Sequence, residues 1–188
     1  YQMKNSGIVK YSDDDGKTWN RLFVIDTWDD QKIDSRKHIV CSDYELKVDP
    51  STNVLYVSYT VRPNANGVLP MDTQTWMFTI SNPDAEVVSE ETLEVSEHWN
   101  TGLGYVRNGF TILKNGEFII VPNETKQSAK NAVYISKDKG KTWNEVGSIY
   151  IPQATWHDEP VVIEKQDGSL WCLTCSNTGY LTESFSYV

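Results

Sequence analysis

Ser136-Lys137-Asp138-Lys139-Gly140-Lys141-Thr142-Trp143 decides the fold, because Ser12-Asp13-Asp14-Asp15-Gly16-Lys17-Thr18-Trp19 repeats it near the start of the chain. Both stretches spell Ser-x-Asp-x-Gly-x-Thr-Trp and both continue into Asn. The chemistry suits a tight hairpin. The Asp accepts hydrogen bonds from nearby backbone N–H groups, as Asx turns do. The Gly supplies the positive φ that such a turn needs. Thr and Trp open the return strand, where the indole covers the hairpin edge. Ser12, Asp14, Gly16, Thr18 and Trp19, and likewise Ser136, Asp138, Gly140, Thr142 and Trp143, are therefore read as structural. Their acidic residues are too few for a calcium loop, so neither a metal nor another cofactor is expected.

Working outward, the two motifs start 124 residues apart. That interval suits two repeats of roughly 60 residues, somewhat above the usual propeller blade. Asn115-Gly116 is a two-residue hairpin signal between Phe110–Leu113 and Phe118–Val121, 21 residues before Ser136. Asp167-Gly168 is the same signal 19 residues before Ser186, where a third motif would open. Asp49-Pro50-Ser51-Thr52-Asn53 is an earlier equivalent, with Ser81 as a degenerate motif position. Strands are expected at Arg21–Asp26; at Tyr44–Val48, Val54–Val61, Thr73–Ile80 and Glu86–Val95; at Val106–Leu113, Glu117–Val121, Ala132–Ser136 and Trp143–Ile149; and at Pro160–Glu164, Ser169–Thr174 and Tyr180–Ser186. No stretch carries a helical period. The expected fold is all-β: residues 1–188 as a partial β-propeller of four-stranded blades, with the end of one blade, two full blades and most of a fourth. About half of a ring is then present. The chain opens at Tyr1 with no initiator Met or signal peptide and is read as a piece of something longer, its ring completed by further residues or by a second chain.

Composition narrows the function classes. The 188 residues are 39% hydrophobic and carry a formal net charge of −9 without a Lys/Arg cluster. Nucleic acid and anionic membranes are therefore poor partners, and no run is long and apolar enough for a membrane span. Aromatic residues reach 12%, with seven Trp and ten Tyr, which points to a Trp-rich core and to sugar-stacking surfaces. Cys172 and Cys175 spell Cys-x-x-Cys, but in a strand they alternate onto opposite faces and are read as thiols without a redox or zinc role.

The repeated motif resembles the Asp-box, or BNR repeat, of the sialidase superfamily, and the resemblance covers nearly the whole chain, best from Asn108 to Ser186. It implies a sialidase-like propeller with the boxes on the outer rim and the site at the centre of one face. In that family three arginines hold a carboxylate, an Asp is the acid/base, and a Tyr nucleophile is activated by a Glu. Glu159-Pro160-Val161-Val162-Ile163, followed by Asp167-Gly168-Ser169-Leu170, resembles the stretch that begins with the activating Glu, so Glu159 takes that role by resemblance. The family's Arg about 16 residues later is here Cys175. A thiol cannot make the bidentate pair of a guanidinium with a carboxylate. The first Arg and the Asp have no match before Ser12, and the third Arg and the Tyr would lie beyond Val188. Secretion or a periplasmic location is implied by the resemblance alone.

Polar and aromatic residues at the expected blade loops complete the candidates. His157 beside Asp158 has the composition of a general base, and Tyr180 flanks a loop that faces the axis. Glu159, His157 and Tyr180 are the catalytic candidates. Arg62 and Arg107 could meet a carboxylate, Trp99 and Trp156 could stack on sugar or sit in the core, and Asn177 lies beside Tyr180. Two classes of function stay open. One is an enzyme that cleaves glycosidic bonds in a glycan or polysaccharide, not a standard sialidase, or a polysaccharide lyase on the same fold. The other is a non-catalytic propeller that binds carbohydrate or protein. Fold alone does not choose between them.

Overall fold

The computed structural model describes residues 7–25, 39–63, 73–80, 95–122, 130–150, 157–176 and 182–186. Among these every regular element is a β-strand and every pairing is antiparallel. β1 (Gly7–Tyr11) pairs with β2 (Asn20–Ile25) across the first motif. β3 (Ile39–Asp49), β4 (Val54–Pro63), β5 (Gln74–Ile80) and β6 (Val95–Asn100) form a four-stranded sheet in that order. β7 (Phe110–Ile112), β8 (Phe118–Ile120), β9 (Lys130–Ser136) and β10 (Asn144–Tyr150) form the next. β11 (His157–Glu164), β12 (Leu170–Ser176) and β13 (Thr182–Ser186) form a three-stranded sheet. Each sheet is a meander, one blade of a propeller, and the first strand β7 adjoins both β3 and β11, the first strands of the blades on either side.

Several strand bounds correct the sequence reading: the strand expected at Tyr44–Val48 starts at Ile39, and the one expected at Val106–Leu113 covers only Phe110–Ile112, leaving Arg107 and Asn108 in the bend before it. The fourth strand expected at Glu86–Val95 runs instead over Val95–Asn100, while residues 81–94 lie outside the described residues. The register sets Trp99 opposite Met77, and burying an indole at that position outweighs the weak alternation upstream. The stretch His157–Glu159 was expected in a loop before the last blade but belongs to β11. His157 lies opposite Ser176 and Asp158 opposite Cys175, and the register then shifts before Val161 meets Leu173. The strand thus continues across a bulge that contains Glu159 and Pro160.

The two motifs fold alike. Ser12 Oγ donates to Asp14 Oδ1 at 2.8 Å and accepts the Gly16 N–H at 2.8 Å. Asp14 accepts the Thr18 N–H at 2.8 Å and the Thr18 hydroxyl at 2.7 Å, and Trp19 Nε1 donates to the Gly16 carbonyl at 3.0 Å. Around Ser136, Asp138, Thr142 and Trp143 the same five bonds measure 2.8, 2.7, 2.8, 2.6 and 3.0 Å. Asp15-Gly16 and Lys139-Gly140 both turn through two left-handed residues, at φ 56° and 80° and at 62° and 89°. These donors hold the Asp14 carboxyl below the usual range, the Thr18 N–H foremost. For Asp138 burial acts upward but the bonds from Thr142 and Ser136 prevail, and its carboxyl is lowered too.

The surroundings of the motifs differ. Trp19 is 59% exposed. The second motif is clasped onto the preceding blade. Trp99 Nε1 donates to the Gly140 carbonyl at 2.7 Å, and Lys139 Nζ reaches Asp49 Oδ2 at 2.8 Å and the Gly116 carbonyl at 2.9 Å. Trp143 and Trp99 pack against the seam core of Tyr56, Met77, Val106, Phe110, Phe118 and Ile120. Period-two alternation then serves both faces of the third blade. Phe118 and Ile120 face the second blade, while Ile119 and Leu113 meet Val162 and Cys172 of the fourth. Burial pushes the Cys172 thiol up to about 11, and Cys175 is exposed, so the two share no face.

Polar bonds line the seam between the third and fourth blades. β11 pairs with β12 on one side only, so alternate carbonyls of β11 point away from the ladder and need other donors. The Thr111 hydroxyl donates to the Val162 carbonyl at 2.7 Å, and Asn108 Nδ2 to the Pro160 carbonyl at 3.3 Å. The Lys114 N–H donates to Glu164 Oε2 at 2.6 Å. On the other face of the fourth blade, Val161 pairs with Leu173 and Ile163 with Trp171, and all four side chains are exposed.

Candidate functional site

The first strands of the three blades meet around a cleft of about 250 Å³. Glu45 and Lys47 come from β3, Asn108 and Thr111 from the start of the third blade, and Pro160 and Val161 from β11. Glu45 and Lys47 pair at 2.6 Å. Directly beside Asn108 and Pro160 stand Arg107 and Glu159, and Arg107 Nη1 donates to Glu159 Oε1 across the seam. The Arg107 Nε–H donates to the hydroxyl of Tyr105, which is 3% exposed, and the guanidinium carbon lies 5.6 Å from that ring's centre. A buried phenol thus fixes the guanidinium from behind while its far end meets the carboxylate.

Glu159 has φ 54°, in the left-handed region. A side chain with a Cβ seldom adopts it, and a residue before proline is ordinarily extended. Such a backbone costs on the order of 1–3 kcal/mol. The Arg107–Glu159 pair, with side chains 35% and 46% exposed, contributes at most about 1 kcal/mol after solvent screening. Asp43, at φ 56°, occupies the matching bulge of β3 between Ser42 and Glu45, so a left-handed residue recurs where the first strand of a blade bulges. Strained backbone of this kind concentrates at functional sites.

The other candidates separate. Arg62 lies in β4, paired with Val40 through the backbone. Trp99 stands in the seam with its N–H on Gly140, away from the cleft. His157 is in β11 at the Glu159 end of the strand, and the register brings Cys175 to that same end. Trp156, Asn177 and Tyr180 lie outside the described residues. The residues of the two motifs do not line the cleft. Sequence reasoning missed Tyr105 and Asn108. Their signal was adjacency to Arg107 at the start of a blade, the same place in the repeat that Glu159 holds in the next. No group of three or more His, Cys, Asp or Glu able to hold a metal occurs among the described residues. Among them, too, no helix is long and apolar enough to cross a membrane.

Blade design, strand order and the meeting of first strands define a sialidase-like β-propeller. A Hadza microbial sialidase superposes with a TM-score of 0.65 at 19% identity, over 95% of this chain and 37% of that one. A protein of unknown function from Dyadobacter fermentans superposes with a TM-score of 0.62 at 15% identity, over 95% of this chain and 54% of that one. The chain thus spans between about a third and a half of the length of these two structures. No protein-family model and no curated protein matches the sequence.

Proposed function

We propose that this chain forms part of a propeller enzyme that cleaves glycosidic bonds in a glycan or polysaccharide and is not a standard sialidase. The observation that carries the reading is the Arg107–Glu159 pair beside the cleft where the blades meet, with Glu159 in a left-handed backbone. Glu159 is the catalytic carboxylate candidate and Arg107 its partner and a substrate contact. The two hairpin motifs are read as Asp-boxes with a structural role. The ring is completed by further residues or by a second chain, consistent with the exposed apolar face of Val161, Ile163, Trp171 and Leu173.

Cys175 stands where the resembling family places an Arg, so the site lacks one fork of donors for a sialic acid carboxylate. A fluorogenic sialoside should accordingly be turned over poorly, while a panel of neutral aryl glycosides should include a working substrate. Glu159→Gln, nearly isosteric, should lower that turnover about a hundredfold. Sialoside turnover at ordinary glycosidase rates would overturn the reading. So would release of an unsaturated uronate from an acidic polysaccharide, which identifies a lyase. Glycan binding without turnover of any panel member would identify a binding propeller.

A further inference from the structure

We propose that Asn108 is a positioning residue for Glu159: its side-chain amide clamps the β11 bulge and holds Glu159 in the left-handed conformation. This rests on the role proposed for Glu159. Three observations meet here. First, β11 loses register between Asp158 and Val161, so Glu159 and Pro160 are not held by the ladder to β12. Second, Pro160 has no N–H to donate, and its carbonyl is taken by Asn108 Nδ2 at 3.3 Å from the neighbouring blade. Third, Glu159 has φ 54° although it carries a Cβ and precedes proline.

Two consecutive residues of one blade thus grip two consecutive residues of the next. Arg107 takes the Glu159 side chain and Asn108 takes the Pro160 backbone. The division of labour matters. An ion pair between half-exposed groups tolerates many geometries, so Arg107 alone does not define the backbone of Glu159. A hydrogen bond to the carbonyl of the following residue restrains that peptide plane directly. Without it the strain at Glu159 relaxes, the residue returns to the extended region, and its carboxylate swings off the seam. Asn108 also lines the cleft, so the clamp lies beside the space a substrate would enter. Thr111 and Lys114 make comparable cross-blade bonds further along, where β11 is in register and its backbone is not left-handed.

The test uses Asn108→Leu, which keeps the approximate size and loses the donor without adding a charge, and Asn108→Gln, which keeps the amide donor on a longer arm. The three-bond HN–Hα coupling and the Cα shift of Glu159 report its φ by NMR. In Asn108→Leu both should move to extended-strand values while the signals of the distant second hairpin motif stay in place. Asn108→Gln should recover part of the left-handed signature. Turnover of whichever aryl glycoside the wild type cleaves should fall about tenfold in Asn108→Leu, chiefly in kcat rather than KM. A left-handed signature unchanged in Asn108→Leu would overturn the clamp whatever the activity. Global loss of signals in Asn108→Leu together with no recovery in Asn108→Gln would overturn it too, as a merely structural role predicts. Relaxation of φ in a protein whose wild type cleaves no glycoside would support the clamp and reject the enzymatic reading instead.

Discussion

Lys139→Met should lower the free energy of unfolding by about 3 kcal/mol, as measured by urea denaturation at pH 7. Lys139 joins the second hairpin motif to the preceding blade through Asp49, whose side chain is 1% exposed. Asp49 also accepts the Ser51 N–H at 2.9 Å and the Ser51 hydroxyl at 2.6 Å. Removing the ammonium strands a buried carboxylate with only neutral donors, and breaking a buried pair from one side costs about 3–5 kcal/mol. The lower end applies because Lys139 itself is a third exposed. The same change removes the bond to the Gly116 carbonyl and the cation lying 5.4 Å from the centre of the Phe118 ring. Lys137→Met is the control. Its ammonium is largely in solvent, 3.7 Å from Glu117, and its loss should stay below about 0.5 kcal/mol.

The same pair sets an acid limit. Burial alone would raise the Asp49 carboxyl, but the bonds from Lys139 and Ser51 and the ammonium charge outweigh it and hold the group at about 2 instead of 3.8. A depressed folded value means that its stabilisation is fully present above about pH 4 and lost as the pH falls through 2. The difference corresponds to about 2.5 kcal/mol. In Lys139→Met the share of this acid dependence that the ammonium supplies should disappear, while the share from the Ser51 bonds remains. An unfolding midpoint in Lys139→Met equal to that of the wild type would refute the clasp.

How much of this was legible follows from how local each feature is. The hairpin motifs carry their own donors, acceptors and left-handed glycine within eight residues, so sequence alone identifies them. The Asn115-Gly116 and Asp167-Gly168 turns are equally local, and both glycines have positive φ, 83° and 87°. Phe118-Ile119-Ile120 reads as a strand because it is buried on both faces. The clasp was not legible, since Asp49 and Lys139 are distant in sequence and each has an ordinary local environment. Trp99 illustrates the same limit. As a sequence feature it suits a sugar platform or a core equally well, and only its partner Gly140, on the next blade, decides. The start of β11 was missed for a different reason. Pro160 argues for a strand beginning there, whereas the strand passes through it by a bulge that a neighbouring blade supports. Arg107 and Glu159 were each legible as candidates, but their pairing depends on how far one blade is rotated against the next.

Gly109→Ala should destabilise the protein by about 4 kcal/mol, enough to abolish a cooperative transition in a marginal domain. Gly109 has φ 62°, and a Cβ built on it would lie 2.2 Å from the Glu45 Cβ, 2.5 Å from its Cγ and 3.1 Å from the Ser58 hydroxyl. Neither Glu45 atom is the far end of a flexible chain, so the backbones of β3 and the third blade must separate. The φ contributes about 1–2 kcal/mol and the forced separation about 1–3. By contrast, Gly102→Ala shares the positive φ, 74°, but meets nothing within 4 Å, and should cost only the conformational part. The difference between the two variants in thermal or urea unfolding isolates the close approach. A Gly109→Ala protein no less stable than Gly102→Ala would show that the blades do not meet there. The consequence reaches the site, because Gly109 follows Arg107 and Asn108 directly and lines the same cleft. Whatever fraction of Gly109→Ala remains folded must carry those two side chains away from Glu159 and Pro160, and the left-handed signature of Glu159 should be lost from it. The close approach of the Gly109 backbone to the Glu45 and Ser58 side chains thereby sets the reach of the third blade towards the fourth.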